Sequence, residues 1–252
     1  MKLMTILSFL AILAVGIGAG FINVMAGGGS LLTMPMLIIF GLPSAVANGT
    51  NRIALLAQNL VAIASFRNSG YFDWKFSTML AVPALLGSIV GARFAISLPD
   101  EVFNKILSIV MIVVLAIIVW KPHKRLSTEV SQNTWPRRLG LIVIFFFVGI
   151  YGGFIQAGVG FIIIAALTLV SGLSLVKINS IKVFIVAIYT ASALAVFIIN
   201  DQIHWGYGFT LAAGMSIGAL LGSKFAVKHG EKWVQRILIV AVIAMAIKLL
   251  FT

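Results

Sequence analysis

The chain has 252 residues, 61% of them apolar and only 10% charged, and it carries a net charge of +12 with no cysteine. So little polar surface excludes a soluble globule of this size, and the lack of cysteine excludes a disulfide framework, a thiolate metal site and a Cys nucleophile. The positive charge would suit nucleic acid, but the bases lie in short loops between apolar runs, not in one stripe with stacking aromatics. Positive-inside topology and contact with anionic lipid account for it.

Several windows of 18 or more residues carry no charge, enough to span a hydrocarbon core of about 30 Å as helix, whereas barrel strands would need short alternating segments. The expected fold class is therefore an all-α polytopic membrane protein. Apolar runs and breakers divide the chain into ten segments, at 4–24, 30–41, 46–66, 76–97, 102–120, 138–157, 160–172, 177–199, 206–227 and 232–251. Residues 1–22, with Lys2 ahead of an apolar run, imitate a secretion signal, but they match a segment in the middle of the chain and are read as part of the membrane fold.

Between the first two segments runs Gly16 to Thr33, with Asn23 and then Gly27-Gly28-Gly29-Ser30. Each glycine costs a helix roughly 1 kcal/mol relative to Ala, so three in a row should break it. Non-helical backbone at membrane depth is tolerated only where it is buried in protein or lines a wet cavity. The stretch has an echo, Gly149-Ile-Tyr-Gly-Gly153-Phe-Ile-Gln156-Ala-Gly158-Val-Gly160, and glycine-interrupted segments at matching places in two halves point to a transporter's binding site.

The echo belongs to an internal repeat. Gly16/Gly149, Gly20/Gly153 and Phe21/Phe154 pair at an offset of 133; after a two-residue deletion the offset is 131 through Gly41/Gly172, Asn48/Asn179, Trp74/Trp205, Gly87/Gly218, Gly91/Gly222 and Phe94/Phe225. Self-similarity of this kind decides the architecture: a first transmembrane repeat at 1–120, a basic linker at 121–137 and a second repeat at 138–252. If the halves are inverted, one side of the membrane carries Arg67, Lys75, Lys121, Lys124, Arg125, Arg137, Arg138, Lys177, Lys224, Lys228, Lys232 and Arg236. The other side then has only Lys2, Arg93, Lys105 and Lys248. Parallel repeats divide the same bases almost evenly. The positive-inside rule therefore predicts two inverted repeats with Gly-broken short helices near the membrane centre, both termini outside, and the linker in the cytoplasm of a cell whose inner membrane holds the chain.

The third segment carries Asn48, Thr50, Asn51, Arg52, Gln58 and Asn59, and at 100° per residue all but Thr50 fall within one arc of about 120°. In the second half Asn179, Lys182, Tyr189 and Thr190 stand at the positions of Asn48, Asn51, Gln58 and Asn59. A lone Asn would be interhelical hydrogen-bonding glue, but a repeated stripe with Arg and Lys reads as a pathway because charge inside a membrane is costly. Snorkelling of Arg52 or Lys182 to an interface competes with that reading. All six carboxylates fall in loops or at segment ends, whereas broken-helix N-termini with Arg52 and Lys182 offer positive potential. The expected substrate is an anion. Asn23 and Gln156 would bind its oxygens or cap freed backbone, while Gly28, Gly29, Ser30, Gly158 and Gly160 would supply backbone contacts. The candidate substrate residues are thus Asn23, Gly28, Gly29, Ser30, Asn48, Thr50, Asn51, Arg52, Asn59, Gln156, Gly158, Gly160, Asn179, Lys182 and Tyr189.

Gly87-x-x-x-Gly91 and Gly218-x-x-x-Gly222 read as close helix packing, and Trp74, Trp205 and Tyr207 as interfacial anchors. His123, His204 and His229 are too scattered for a metal set. With no nucleophile-elbow, phosphate-loop or zinc-helix pattern, no enzyme, catalytic residue, metal or cofactor is expected.

The Gly27-Gly-Gly-Ser-Leu-Leu-Thr-Met-Pro35 break, the Ala47-Asn-Gly-Thr50 run, the Gly70-Tyr-Phe-Asp-Trp74 loop and Gly87-x-x-x-Gly91-Ala-Arg93 together resemble the TauE/SafE family of sulfite-exporter-like permeases, over nearly the whole chain. The chain departs from that pattern in having Gln156-Ala-Gly-Val-Gly160 where a second Gly-Gly-Gly would stand, and in adding Asn51-Arg52. The resemblance implies secondary transport of small anions, often sulfite, organosulfur compounds or carboxylates, usually outward across the cytoplasmic membrane. Import, or carriage of amino acids or cations, is the alternative within transport; an intramembrane enzyme or assembly factor is the alternative from another class. The expected partners are a small anionic substrate and membrane lipid but no nucleic acid, with a homodimer left open.

Overall fold

Glycine and proline set the boundaries of the helices. In the computed structural model, which describes residues 6–120 and 135–250, the elements are α1 (Ile6–Met25), α2 (Ser30–Ile39), α3 (Ser44–Asn68), α4 (Trp74–Ser97), α5 (Asp100–Trp120), α6 (Trp135–Phe154), α7 (Val159–Ser171), α8 (Leu175–Ile199) and α9 (Trp205–Leu250). No strand occurs among the described residues. Most of the linker expected at 121–137 lies outside them, and α6 opens at Trp135.

Both expected breaks are present. Gly27 takes φ +90° between α1 and α2; between α6 and α7, Gln156 takes φ +64° and Gly158 φ +74°. The left-handed region costs an L-residue about 1–2 kcal/mol, so glycine suits it and Gln156 is under strain. At 1.5 Å per residue, the 10 residues of α2 and 13 of α7 are too short to cross about 30 Å of hydrocarbon alone. Elsewhere the caps are ordinary: Asp73 accepts from Phe76 N at 3.1 Å to start α4, and Ser174 from Lys177 N at 3.4 Å to start α8.

The last two expected segments, 206–227 and 232–251, are one helix. α9 runs 46 residues without interruption, and the reason lies in the repeat. Pro99 separates α4 from α5, but its counterpart at offset 131 is Gly230. Proline lacks an N–H and clashes with the preceding turn, whereas one glycine costs a helix only about 1 kcal/mol.

Among the described residues four helical stretches are long and apolar enough to cross a membrane: Ser8–Met25, Trp74–Ser97, Leu175–Ile199 and Trp205–His229. The burial pattern fits a lipid solvent. Phe147, Phe94 and Phe209 are each more than 60% exposed, while Asn48, Asn51, Arg52, Gln58, Asn59, Asn179 and Lys182 are buried. The chain is a multi-pass, all-α membrane protein. Trp74 and Trp205 are about half exposed, as interfacial anchors should be, but Tyr207 is 6% exposed and packs on Phe40 and His204. It belongs to the core.

The glycine pairs pack helices of different halves together. A Cβ at Gly87 would lie 2.1 Å from Phe146 O, one at Gly91 2.0 Å from Ile150 O, and one at Gly218 2.0 Å from Ile17 O. Such contact leaves no room for a side chain. Residue numbers rise together along each pair, so α4 and α6 run parallel, as do α1 and α9. α3 and α8 run in opposite directions where they pack: Gly49 meets Phe197 and Gln202, while Ala62 and Phe66 share a cluster with Val176 and Val183.

Candidate functional site

The polar stripe on α3 ends at the broken C-terminus of α6. The last carbonyls of a helix have no intrahelical donor and carry its negative partial charge, so a cation there satisfies both. Arg52 is fully buried and donates Nη1 to Gly152 O at 3.1 Å and to Gln156 Oε1 at 3.0 Å, and Nη2 to Gly153 O and to Asn48 Oδ1 at 3.1 Å. Asn48 adds Nδ2 to Phe154 O at 2.7 Å. The guanidinium lies over the Phe197 ring, 4.8 Å from its centroid, and its Nε has no partner.

The second half repeats the arrangement on α1. Lys182, 2% exposed, donates to Asn23 O at 3.0 Å, Val24 O at 2.8 Å and Asn179 Oδ1 at 2.8 Å, and Asn179 Nδ2 reaches Met25 O at 3.3 Å. Burial rules out snorkelling for both cations. Neither has an acidic partner: the ion pairs among the described residues are Lys105–Glu101 and Lys177–Asp73. Each cation binds its own half's core helix to the broken helix of the other half.

The two breaks touch. A Cβ on Gly27 would lie 2.4 Å from Gly160 Cα, and beside this crossing is a cavity of about 10 Å³, counted as the space open to the centre of a water. That is room for about one water molecule. Its walls are Asn23, Gly27, Ser30, Leu55, Asn59, Gln156, Val159, Gly160, Lys182 and Val186.

Of the residues expected from sequence, the structure brings Asn23, Ser30, Asn59, Gln156, Gly160 and Lys182 to this cavity. Asn48, Arg52 and Asn179 sit behind it on the helix ends. Gly29 donates its N–H to Asn23 Oδ1 at 3.1 Å, and Gly28 and Gly158 lie within the breaks. Asn51 accepts from Thr33 Oγ1 at 2.6 Å, with Nδ2 unpartnered. Thr50 lies away from the cavity and accepts from His204 N at 2.9 Å. Tyr189 is buried against Gly152 with an unpartnered hydroxyl. The expected set lacked four wall residues, Gly27, Leu55, Val159 and Val186; Gly27 and Val159 each adjoin an expected glycine, and helical spacing could have found Leu55 and Val186, since each is four residues from a polar wall residue on its own helix. No group of His, Asp and Glu that could hold a metal occurs among the described residues.

The chain is similar in sequence to known membrane transporter proteins. The family described as sulfite exporter TauE/SafE matches residues 12–249. A probable membrane transporter protein of Sinorhizobium, ORF9, is 28% identical over 92% of this chain and 88% of its own length. One from Haemophilus influenzae is 28% identical over 97% of this chain and 96% of its own, and YfcA of Escherichia coli is 27% identical over 99% and 90%. No solved structure matches the chain.

Proposed function

Because the chain belongs to the sulfite exporter TauE/SafE family, we propose that it is a secondary transporter of small anions, sulfite or an organosulfur or organic acid, moving them outward across the cytoplasmic membrane by alternating access. The observation that carries this reading is the pair of buried cations without carboxylates, one of which, Lys182, forms a wall of the cavity between the breaks. A cation carrier would favour an acidic side chain at this place. Arg52 and Lys182 are held instead by carbonyl and amide oxygens, which leaves the cavity's charge positive.

The antiparallel packing of α3 on its repeat-mate α8 supports inverted halves, and the distribution of bases supports outer termini with an inner linker. The moving bodies are then not the halves as they stand in sequence. α1, α3 and α9 pack as one group and α4, α6 and α8 as another, since the glycine contacts exchange α4 and α9 between halves. Sliding of one group against the other would part Gly27 from Gly160 and open the cavity to one face at a time.

The test is the thermal shift of purified protein with sulfite, sulfate, sulfoacetate, taurine and acetate at constant ionic strength. A ligand at 100 times its Kd stabilises by about 2.7 kcal/mol. At least one anion should stabilise the wild type and not a folded Lys182→Gln variant. Stabilisation by cations or zwitterions alone would overturn the reading.

A further inference from the structure

The hydrogen-bonding inventory of the cavity wall specifies more than charge. Among its ten residues Lys182 is the only side chain able to carry a full charge, so the wall offers at most one positive charge. Two amides face the cavity with their orientation fixed by backbone partners. Asn23 Oδ1 accepts the Gly29 N–H at 3.1 Å, which leaves its Nδ2 as a free donor. Asn59 Nδ2 donates to Leu55 O at 2.7 Å, which leaves its Oδ1 as a free acceptor. Ser30, 2% exposed, has a hydroxyl with no hydrogen-bond partner among the described residues. Gln156 is already spent, its Oε1 on Arg52 and its Nε2 on Thr190 Oγ1 at 3.2 Å.

A site for a bare oxyanion needs donors only. The Asn59 oxygen is out of place in one, because a carboxylate or sulfonate oxygen brought against it would be repelled and the amide oxygen would be left buried without a donor. We infer that, once the two groups part and the cavity widens, the site takes a singly charged small oxyanion that also carries a hydroxyl or N–H: Asn23 Nδ2 and Ser30 Oγ donate to the anionic end, Lys182 balances its charge with its own three N–H groups held by Asn23 O, Val24 O and Asn179 Oδ1, and Asn59 Oδ1 accepts the hydrogen at the other. This rests on the anion reading above and adds the donor and the single charge. Asn59 is then a specificity residue, since a site with a buried acceptor rejects analogues that lack its donor.

The experiment compares matched anions on the purified full chain: glycolate against acetate and methoxyacetate, and 2-hydroxyethanesulfonate against ethanesulfonate, with sulfate as the dianion. Wild-type protein should bind the hydroxylated member of a pair at least tenfold more tightly than its donorless partners. Asn59→Leu should bring the members within about twofold while keeping the unliganded melting temperature near wild type; should that variant not fold, the wild-type preference for glycolate over methoxyacetate decides alone. Equal binding within the pairs overturns this inference and leaves anion transport standing. Binding of sulfate but of no monoanion overturns the single charge. Binding of none of these anions overturns both the inference and the reading beneath it.

Discussion

The two cationic clamps occupy equivalent places in the repeat and are built differently. On α3 the pair is Asn48 and Arg52, four residues apart; on α8 it is Asn179 and Lys182, three apart. The charge has moved one position, because the repeat-mate of Lys182 is Asn51 and that of Arg52 is Val183. Both tie a broken helix's last carbonyls to the other half. Arg52 spreads its hydrogen bonds over two carbonyls and two amide oxygens behind the cavity, whereas Lys182 places a compact ammonium in the cavity wall. Guanidinium suits a planar fixed fork and ammonium a point charge. The difference teaches that one clamp only ties helix ends together, whereas the other does so and also lines the cavity.

Exchanging each cation for an uncharged chain should separate the two roles most clearly. Arg52→Met leaves Gly152 O, Gly153 O and the Gln156 and Asn48 amide oxygens buried without this donor. At about 1.5–3 kcal/mol for each hydrogen bond to a charged group, the loss should exceed about 4 kcal/mol and lower the melting temperature severely. Lys182→Met also strips carbonyls, but next to a cavity that water can fill, so it should destabilise by less than half as much while abolishing anion-induced stabilisation. Equal losses of stability would erase the distinction between the clamps.

A gentler version exchanges the asparagines. Asn48 bonds Phe154 O at 2.7 Å and also accepts from Arg52; Asn179 bonds Met25 O at 3.3 Å and accepts from Lys182. Asn48→Leu should cost about 2–3 kcal/mol and Asn179→Leu about 1–2 kcal/mol, measured by denaturant or thermal unfolding of each variant. The reverse order would mean that the α1 end, not the α6 end, anchors the fold.

Much of this was legible from residues alone, and the limit is physical. The breaks at Gly27 and Gly158 follow from helix propensity, and the stripe on α3 follows from helical spacing; both are local. What Arg52 touches was not legible, because Gly152 and Gly153 lie 100 and 101 residues away and nothing in the stripe says which helix end it meets. The exchange of α4 and α9 between halves was hidden for the same reason: Gly87 and Gly218 announce close packing but not the partner. Local propensity also gave two segments where α9 is one, since a glycine near charged residues looks like a boundary and costs too little to make one.

The smallest effect tests whether the strained residue of the second break serves the clamp behind it. Asn23, its repeat-mate, is helical within α1 and binds Gly29 N, whereas Gln156 sits at φ +64° and binds Arg52 and Thr190. Gln156→Gly relieves about 1–2 kcal/mol of left-handed strain and removes one charge-assisted and one neutral hydrogen bond, together about 2–4 kcal/mol. The net should be a loss of only about 1–2 kcal/mol by thermal unfolding. If the variant is more stable than wild type, Gln156 contributes nothing to holding Arg52, and its strain is kept for the cavity alone. A clear loss shows instead that the break tolerates the strained backbone because the amide fixes the guanidinium, and that the asymmetry of the clamps extends into the loops they hold.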